Sequence, residues 1–144
     1  MSIEILTHRE RSIDPAQLPA LFASADWGHV RTPEGLARVL AAGVAVGAWD
    51  GERLVGYTRA LTDGLYRAYV EDVIIATEYR GRGVGERMVT ALLEALGEVE
   101  IVSLFCEPER VDFYGRNGFR TSASQVMMHY EAGKPSPGAL ERRD

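Results

Sequence analysis

Val73-Ile74-Ile75-Ala76-Thr77-Glu78-Tyr79-Arg80-Gly81-Arg82-Gly83-Val84-Gly85-Glu86 is the most informative stretch of this 144-residue chain. A continuously apolar strand end, covered on both faces in the usual case, runs into a short loop. Three alternating glycines then open an amphipathic helix, in which Val84, Met88, Ala91, Leu92, Ala95 and Leu96 recur at a period of 3.6. Gly97 stops it. Such a junction can hold an anion, because the first N–H groups of a helix have no partner inside it and the dipole adds about half a positive charge. Glycines tolerate positive φ and let a phosphate approach the main chain. Arg80 and Arg82 add positive charge at the rim. The spacing Gly-x-Gly-x-Gly differs from the dinucleotide fingerprint Gly-x-Gly-x-x-Gly and lacks the Gly-Lys-Ser/Thr of a P-loop. A plain turn with no ligand is the alternative reading.

Outward from this stretch, strand and helix signals alternate. Residues 3–8 read as a strand, and residues 15–25 as a helix capped by Asp14 with Pro15 in its first position. Thr32 caps a second helix begun by Pro33, with Leu36, Val39 and Leu40 as its buried stripe and Gly43 at its end. Residues 44–49 and 54–61, joined at Asp50-Gly51, form a hairpin. Strands are predicted over 66–76, 101–106 and 125–130, and a short helix over 109–116 ending at Asn117-Gly118. Phe22, Trp49 and Tyr57 belong to the core. This interspersion predicts a mixed α/β sheet with helices on both faces. One domain over 1–132 is expected, with a disordered tail over 133–144 that carries Pro135 and Pro137.

Composition removes several function classes. Sixteen basic against 21 acidic side chains leave a formal charge of −5, so a nucleic-acid partner is not expected. No apolar run approaches the ~20 residues that span a bilayer, and the first ten residues lack a signal-peptide core. A cytoplasmic location follows as the expectation. Cys106 is the one cysteine, excluding an internal disulfide. His8, His29 and His129 are scattered without ligand spacing, so no metal centre is expected.

The stretch IIATEYRGRGVGERMV resembles the acyl-CoA-binding motif of the GNAT N-acetyltransferase superfamily, Arg/Gln-x-x-Gly-x-Gly/Ala, with Arg80, Gly83 and Gly85 in its three places. FYGRNGF, over 113–119, is similar to the family's aromatic-rich short helix ending in Gly-Phe, and the two matches come in the family's order. The resemblance covers about residues 3–130. It implies the GNAT fold: a mixed, mostly antiparallel sheet of six to seven strands splayed between the fourth and fifth, flanked by about four helices. It implies acetyl-CoA as acyl donor, its pantetheine arm along Val73, Ile74 and Ile75 in the manner of an added strand. Its diphosphate would lie on the main chain of Gly81, Arg82, Gly83, Val84, Gly85 and Glu86, with Arg80 beside it. Thr77 stands where the family often has Pro. Glu107 and Arg110 occupy the places where an Asn is common. YVEDVII and the Cys106-x-Pro108 step also resemble glucosamine-6-phosphate N-acetyltransferases and related small amine acetyltransferases.

Acetyl transfer to an amine has its own requirements. An alkylammonium of pKa about 10.4 must lose a proton, and a carboxylate acting as general base supplies typically 10²–10⁴-fold. Glu71 is the favoured base and Asp72 the second. As strand neighbours they are expected to point to opposite faces, and the alternative role for either is an ion pair with an arginine of the next strand. A main-chain N–H near Ile75 would meet the developing oxyanion. The resemblance gives Tyr114 the protonation of the departing thiolate, the alternative being helix packing. Trp27, His29 and Arg31 lie in a segment that in the family helps line the acceptor pocket. Cys106 reads as a small buried strand residue, and His129 as structural or at a subunit contact. The expected function is direct transfer to a primary amine of a small molecule in a ternary complex, by a protein that forms a homodimer. A non-catalytic acyl-CoA sensor and a protein or peptide acetyltransferase are the alternatives.

Overall fold

A computed structural model describes residues 2–25 and 30–133. Trp27, His29 and the expected tail beyond residue 133 lie outside the described residues. Strand β1 (Glu4–Thr7) is followed by a 3-10 turn over Pro15–Gln17 and helix α1 (Leu18–Ala23). Asp14 caps the turn by accepting the Ala16 N–H at 2.9 Å. Helix α2 (Pro33–Ala42) starts on Thr32, whose hydroxyl accepts the Gly35 N–H at 3.0 Å. Strands β2 (Val44–Asp50) and β3 (Arg53–Thr62) are joined through Gly51, at φ +60°. Strand β4 (Arg67–Ile75) and a 3-10 turn over Thr77–Tyr79 lead to α3 (Val84–Leu96). Strand β5 (Ile101–Leu104), a 3-10 turn over Pro108–Arg110 and α4 (Val111–Gly115) complete the order.

The sheet runs β1-β2-β3-β4-β5, antiparallel except for the parallel pair β4–β5. Its two faces are covered by different helices. On β3, the Tyr57 ring meets Phe22 of α1 at 6.0 Å between centroids, whereas a Cβ at the preceding Gly56 would meet the Met88 sulfur of α3 at 2.7 Å. Adjacent strand residues point to opposite faces, so α1 lies on one side and α3 on the other. Phe22, Trp49 and Tyr57 are buried, as the sequence predicts. In α3 the buried residues are Val84, Gly85, Met88, Val89, Leu92 and Leu96; of the predicted stripe Ala91 is half-buried and Ala95 exposed, whereas Val89, which that stripe left out, is buried.

Two expectations change. The sheet has five strands among the described residues, not six or seven, because residues 125–130 run outside it. Val126, Met128 and Tyr130 are 85%, 86% and 88% exposed, so no sheet or helix face covers the apolar side chains that suggested a strand. Strand β5 also stops at Leu104, which leaves Cys106 exposed beyond its end instead of buried within it.

Candidate active site

The glycine turn has the geometry of an open cradle. Gly81 and Gly83 are both left-handed, at φ +75° and +77°, a conformation that glycine adopts without steric cost. A Cβ at either would meet no atom within 4 Å, so the main chain there lies open. Gly83 caps α3, and the first bond across the helix start is from the Arg87 N–H to the Gly83 carbonyl at 3.2 Å. The N–H groups of Val84, Gly85 and Glu86 precede that bond and have no intrahelical partner. Gly85 serves packing instead: a Cβ there would meet Ile75 at 2.8 Å and Phe113 at 3.0 Å. The missing side chain lets α3 approach the end of β4 and α4.

Arg80 and Arg82 hold the loop that carries these amides. The Arg80 guanidinium donates to the Ile75 and Ser24 carbonyls, each at 3.1 Å, tying the end of β4 to the end of α1. The Arg82 guanidinium lies 5.5 Å over the Tyr79 ring, and the Tyr79 hydroxyl donates to Asp50.

The sheet opens next to this turn. Pairing between β4 and β5 ends at Val70 and Leu104, whereas β4 continues to Ile75. The Ala76 N–H donates to the Val55 carbonyl at 2.8 Å, toward β3. By strand alternation the main-chain groups of Ile74 share that direction, and those of Val73 and Ile75 face the opening. Ile74 is therefore turned away from the opening in its main chain and buried in its side chain, at 2% exposure. Val73 and the Ile75 N–H are left to pair with a chain inserted there, the Ile75 carbonyl already accepting from Arg80. The opening is a cavity of about 500 Å³, with β4 and β5 residues on two walls and Tyr114 of α4 on a third.

A bulge decides where the two carboxylates go. The β3–β4 register passes from Thr58 opposite Val73 to Arg59 opposite Glu71, leaving Asp72 unpaired. Asp72 is the one described non-glycine residue with positive φ, at +60°. A bulge interrupts the two-residue alternation, so the expected opposite orientation does not hold. Arg59 lies opposite Glu71 and its Nε donates to Asp72 Oδ2 at 3.1 Å, which brings both carboxylates to one side of the sheet. Burial, then the charge of Glu71, pushes the Asp72 carboxyl above its ordinary range, while Arg59 and Arg31 pull it back. Asp72 thus has the arginine partner that the alternative reading required. Glu71 is half-buried, and its Oε2 accepts from the Tyr69 hydroxyl at 3.3 Å.

Tyr114 is buried at 9% exposure, with its ring edge-on to Phe113 at 4.9 Å and to Phe119 at 6.1 Å. Burial and the neighbouring Cys106 push its phenol up, and Arg110 opposes them. Glu107 and Arg110, at the lip of the cleft, pair at 3.7 Å. Arg31 is exposed at the start of the segment leading to α2 and reaches Asp72 through its charge. His129 also lines the cleft, edge-on to Phe105 at 5.7 Å. Among the described residues no cluster of three His, Cys, Asp or Glu is placed to hold a metal ion.

Four site residues escape the sequence reading: Arg59, Tyr69, Phe105 and Met127. Tyr69 stands two residues before Glu71, and strand alternation was a signal sufficient to find it. The Arg59–Asp72 contact depends on the bulge, which no residue type announces.

The sequence profile described as the Acetyltransferase (GNAT) family matches residues 8–119. GCN5-related N-acetyltransferase 2, chloroplastic, of Arabidopsis thaliana is 39% identical over 84 residues, covering 54% of this chain and 33% of that protein. Glucosamine 6-phosphate N-acetyltransferase 1 of Oryza sativa subsp. japonica is 35% identical over 65 residues, 43% of this chain and 39% of that protein. The chain therefore spans a third to two-fifths of the length of these curated relatives. Among solved structures, a GNAT-family acetyltransferase from Streptococcus pneumoniae TIGR4 superposes with a TM-score of 0.77 at 25% identity, covering 92% of this chain and 100% of that one.

Proposed function

This chain belongs to the acetyltransferase (GNAT) family, and from that premise we propose that it moves an acetyl group from acetyl-CoA directly to the primary amine of a small molecule. One observation carries the reading. An open amide cradle at the start of α3 stands beside a gap between β4 and β5, and Glu71 and Tyr114 line that same gap. The residues fit the donor: the cradle has room for a diphosphate, and Val73 and Ile75 offer strand-like pairing to an amide-bearing arm. When bound, acetyl-CoA supplies a thioester carbonyl open to attack by an amine.

Each residue has a task in this reading. Glu71 takes a proton from the ammonium, directly or through water, leaving the nitrogen lone pair free to attack. The Ile75 N–H donates to the carbonyl oxygen as negative charge grows on it, a contact worth roughly 10²–10³ in rate when preorganised. Tyr114 gives its proton to the departing sulfur. Burial keeps the phenol protonated, and Arg110 tempers that shift. The nitrogen–carbon bond forms and the carbon–sulfur bond breaks; of the two protons the ammonium loses, one leaves through Glu71 to solvent, and the other, shed by nitrogen after attack, replaces through solvent the proton that Tyr114 gave to sulfur. Asp72, tied to Arg59, holds the bulge that presents Glu71. Action in the cytoplasm as a homodimer completes the proposal; among the described residues no helix is long and apolar enough to cross a membrane.

The test is release of free thiol from acetyl-CoA by purified protein over a panel of amines. Amine-dependent release supports the enzyme. Tight acetyl-CoA binding with no turnover of any amine favours a sensor.

A further inference from the structure

Tyr69 on β4, Phe105 just beyond β5 and His129 form a row of rings beside Glu71. Tyr69, two residues earlier on the strand, hydrogen-bonds to Glu71. Its ring lies 5.2 Å from that of Phe105, and Phe105 lies 5.7 Å from His129, the pair edge-on. Met127 lines the same cavity. Phe105 is 52% exposed and Met127 55% exposed, so an apolar wall at the mouth is left open to solvent beside the carboxylates.

Charge at this wall is uneven in a way that selects. The carboxylates of Glu71, Asp72 and Glu107 line the cavity together with Arg110, which pairs with Glu107, while Arg59 donates to Asp72. Arg31 acts on Asp72 through charge, without a hydrogen bond between them. Among the described residues the hydrogen-bond partner of Glu71 is a phenol, that of Tyr69, and not a cation. An ammonium approaching Glu71 thus finds an acceptor, and the carbon skeleton behind it finds rings. A phosphate on that skeleton would face the carboxylates of Glu71, Asp72 and Glu107 instead.

We propose that the acceptor is a primary amine with a single positive charge on a short chain that ends in an aromatic ring, seated with its ring on Phe105 and Tyr69 and its ammonium at Glu71. The proposal rests on the acetyl-transfer reading above. Ring contacts of this kind and the apolar area they cover favour such an amine over a plain alkylamine by on the order of tenfold.

The experiment compares kcat/KM for 2-phenylethylamine, propylamine, spermidine and glucosamine 6-phosphate at saturating acetyl-CoA, with the full chain. The expected result is 2-phenylethylamine first, at least about tenfold above propylamine. In Phe105→Ala that ratio falls toward one through a rise in KM for the aromatic amine. Phe105 is half exposed, so its truncation spares the core. Preference for propylamine, spermidine or the sugar phosphate overturns this inference while leaving acetyl transfer intact. An unchanged ratio in Phe105→Ala removes the aromatic wall from the explanation. Turnover of no amine overturns the inference together with the enzymatic reading.

Discussion

Glu71 and Asp72 are adjacent carboxylates with different surroundings, and the proposed mechanism gives them different work. Asp72 is bound by Arg59 on a bulge, whereas Glu71, among the described residues, meets the Tyr69 phenol by hydrogen bond. Glu71→Gln is therefore expected to lower kcat/KM by about 10²-fold or more, the usual worth of a general base. Asp72→Asn keeps a residue type that accepts positive φ and should cost far less in rate. Equal losses in steady-state assays would show that the two act as a unit. Asp72 also leaves a mark on stability. Folding raises its carboxyl above the ordinary 3.8, so the native state holds that proton more tightly than the unfolded chain does. Stability is then lost as pH climbs from 3.8 through the raised value, and Asp72→Asn should flatten Tm against pH in that window. Tyr114→Phe should lower kcat by about 10-fold or more with little change in acetyl-CoA Kd, as loss of a proton donor does; unchanged kcat would reduce Tyr114 to a packing residue. The types of these residues were legible in the sequence, but their orientations were not. Alternation predicted opposite faces for Glu71 and Asp72, and one extra residue in β4 reversed that.

At the scale of the element, the start of α3 separates two uses of glycine. Gly83 is left-handed with open space around it, and Gly85 is closed in by Ile75 and Phe113. Gly83→Val should weaken coenzyme A binding more than tenfold in a titration, because its side chain fills the space a phosphate would need. The left-handed backbone adds roughly 1–2 kcal/mol of destabilisation. Gly85→Val should instead show its main effect as a fall in stability, of about 1–3 kcal/mol in denaturant unfolding, from overpacking between α3, β4 and α4. Undiminished coenzyme affinity in Gly83→Val would count against the cradle. Caps and turns here were readable because they are local: Asp14, Thr32 and Gly97 do what their chemistry prescribes. The stretch 125–130 was misread for the opposite reason. Its apolar pattern suits a strand, yet pairing depends on a neighbour that the sequence cannot name, and Val126, Met128 and Tyr130 stay exposed.

At the scale of the molecule, the proposed reaction places both substrates in one cavity. Val73 and Ile75 turn their main-chain groups into the gap from β4, and Glu71 meets the same gap from the bulge. Such an arrangement predicts that both substrates are bound together before any bond breaks. Initial rates at varied amine and acetyl-CoA should give intersecting double-reciprocal lines, and no acetylated protein should form without amine. Parallel lines, with acetyl found on the protein, would indicate an acyl-enzyme. Cys106, exposed at the cavity, is the nucleophile to examine in that case, and Cys106→Ser is expected to keep turning over. The family was legible from Arg80, Gly83, Gly85 and the Phe113-Tyr114 step because each of these motifs rests on a contiguous piece of chain. The acceptor side was not, since Arg59, Tyr69, Phe105 and Met127 come together only through the register of β3, β4 and β5.

The most direct measurement is a crystal structure of the protein grown with coenzyme A. The diphosphate should lie within hydrogen-bonding distance of main-chain N–H groups of residues 81–86, with the pantetheine arm running beside Val73 and Ile75 toward Tyr114. Coenzyme bound on another surface, with those amides facing only water, would contradict the assignment.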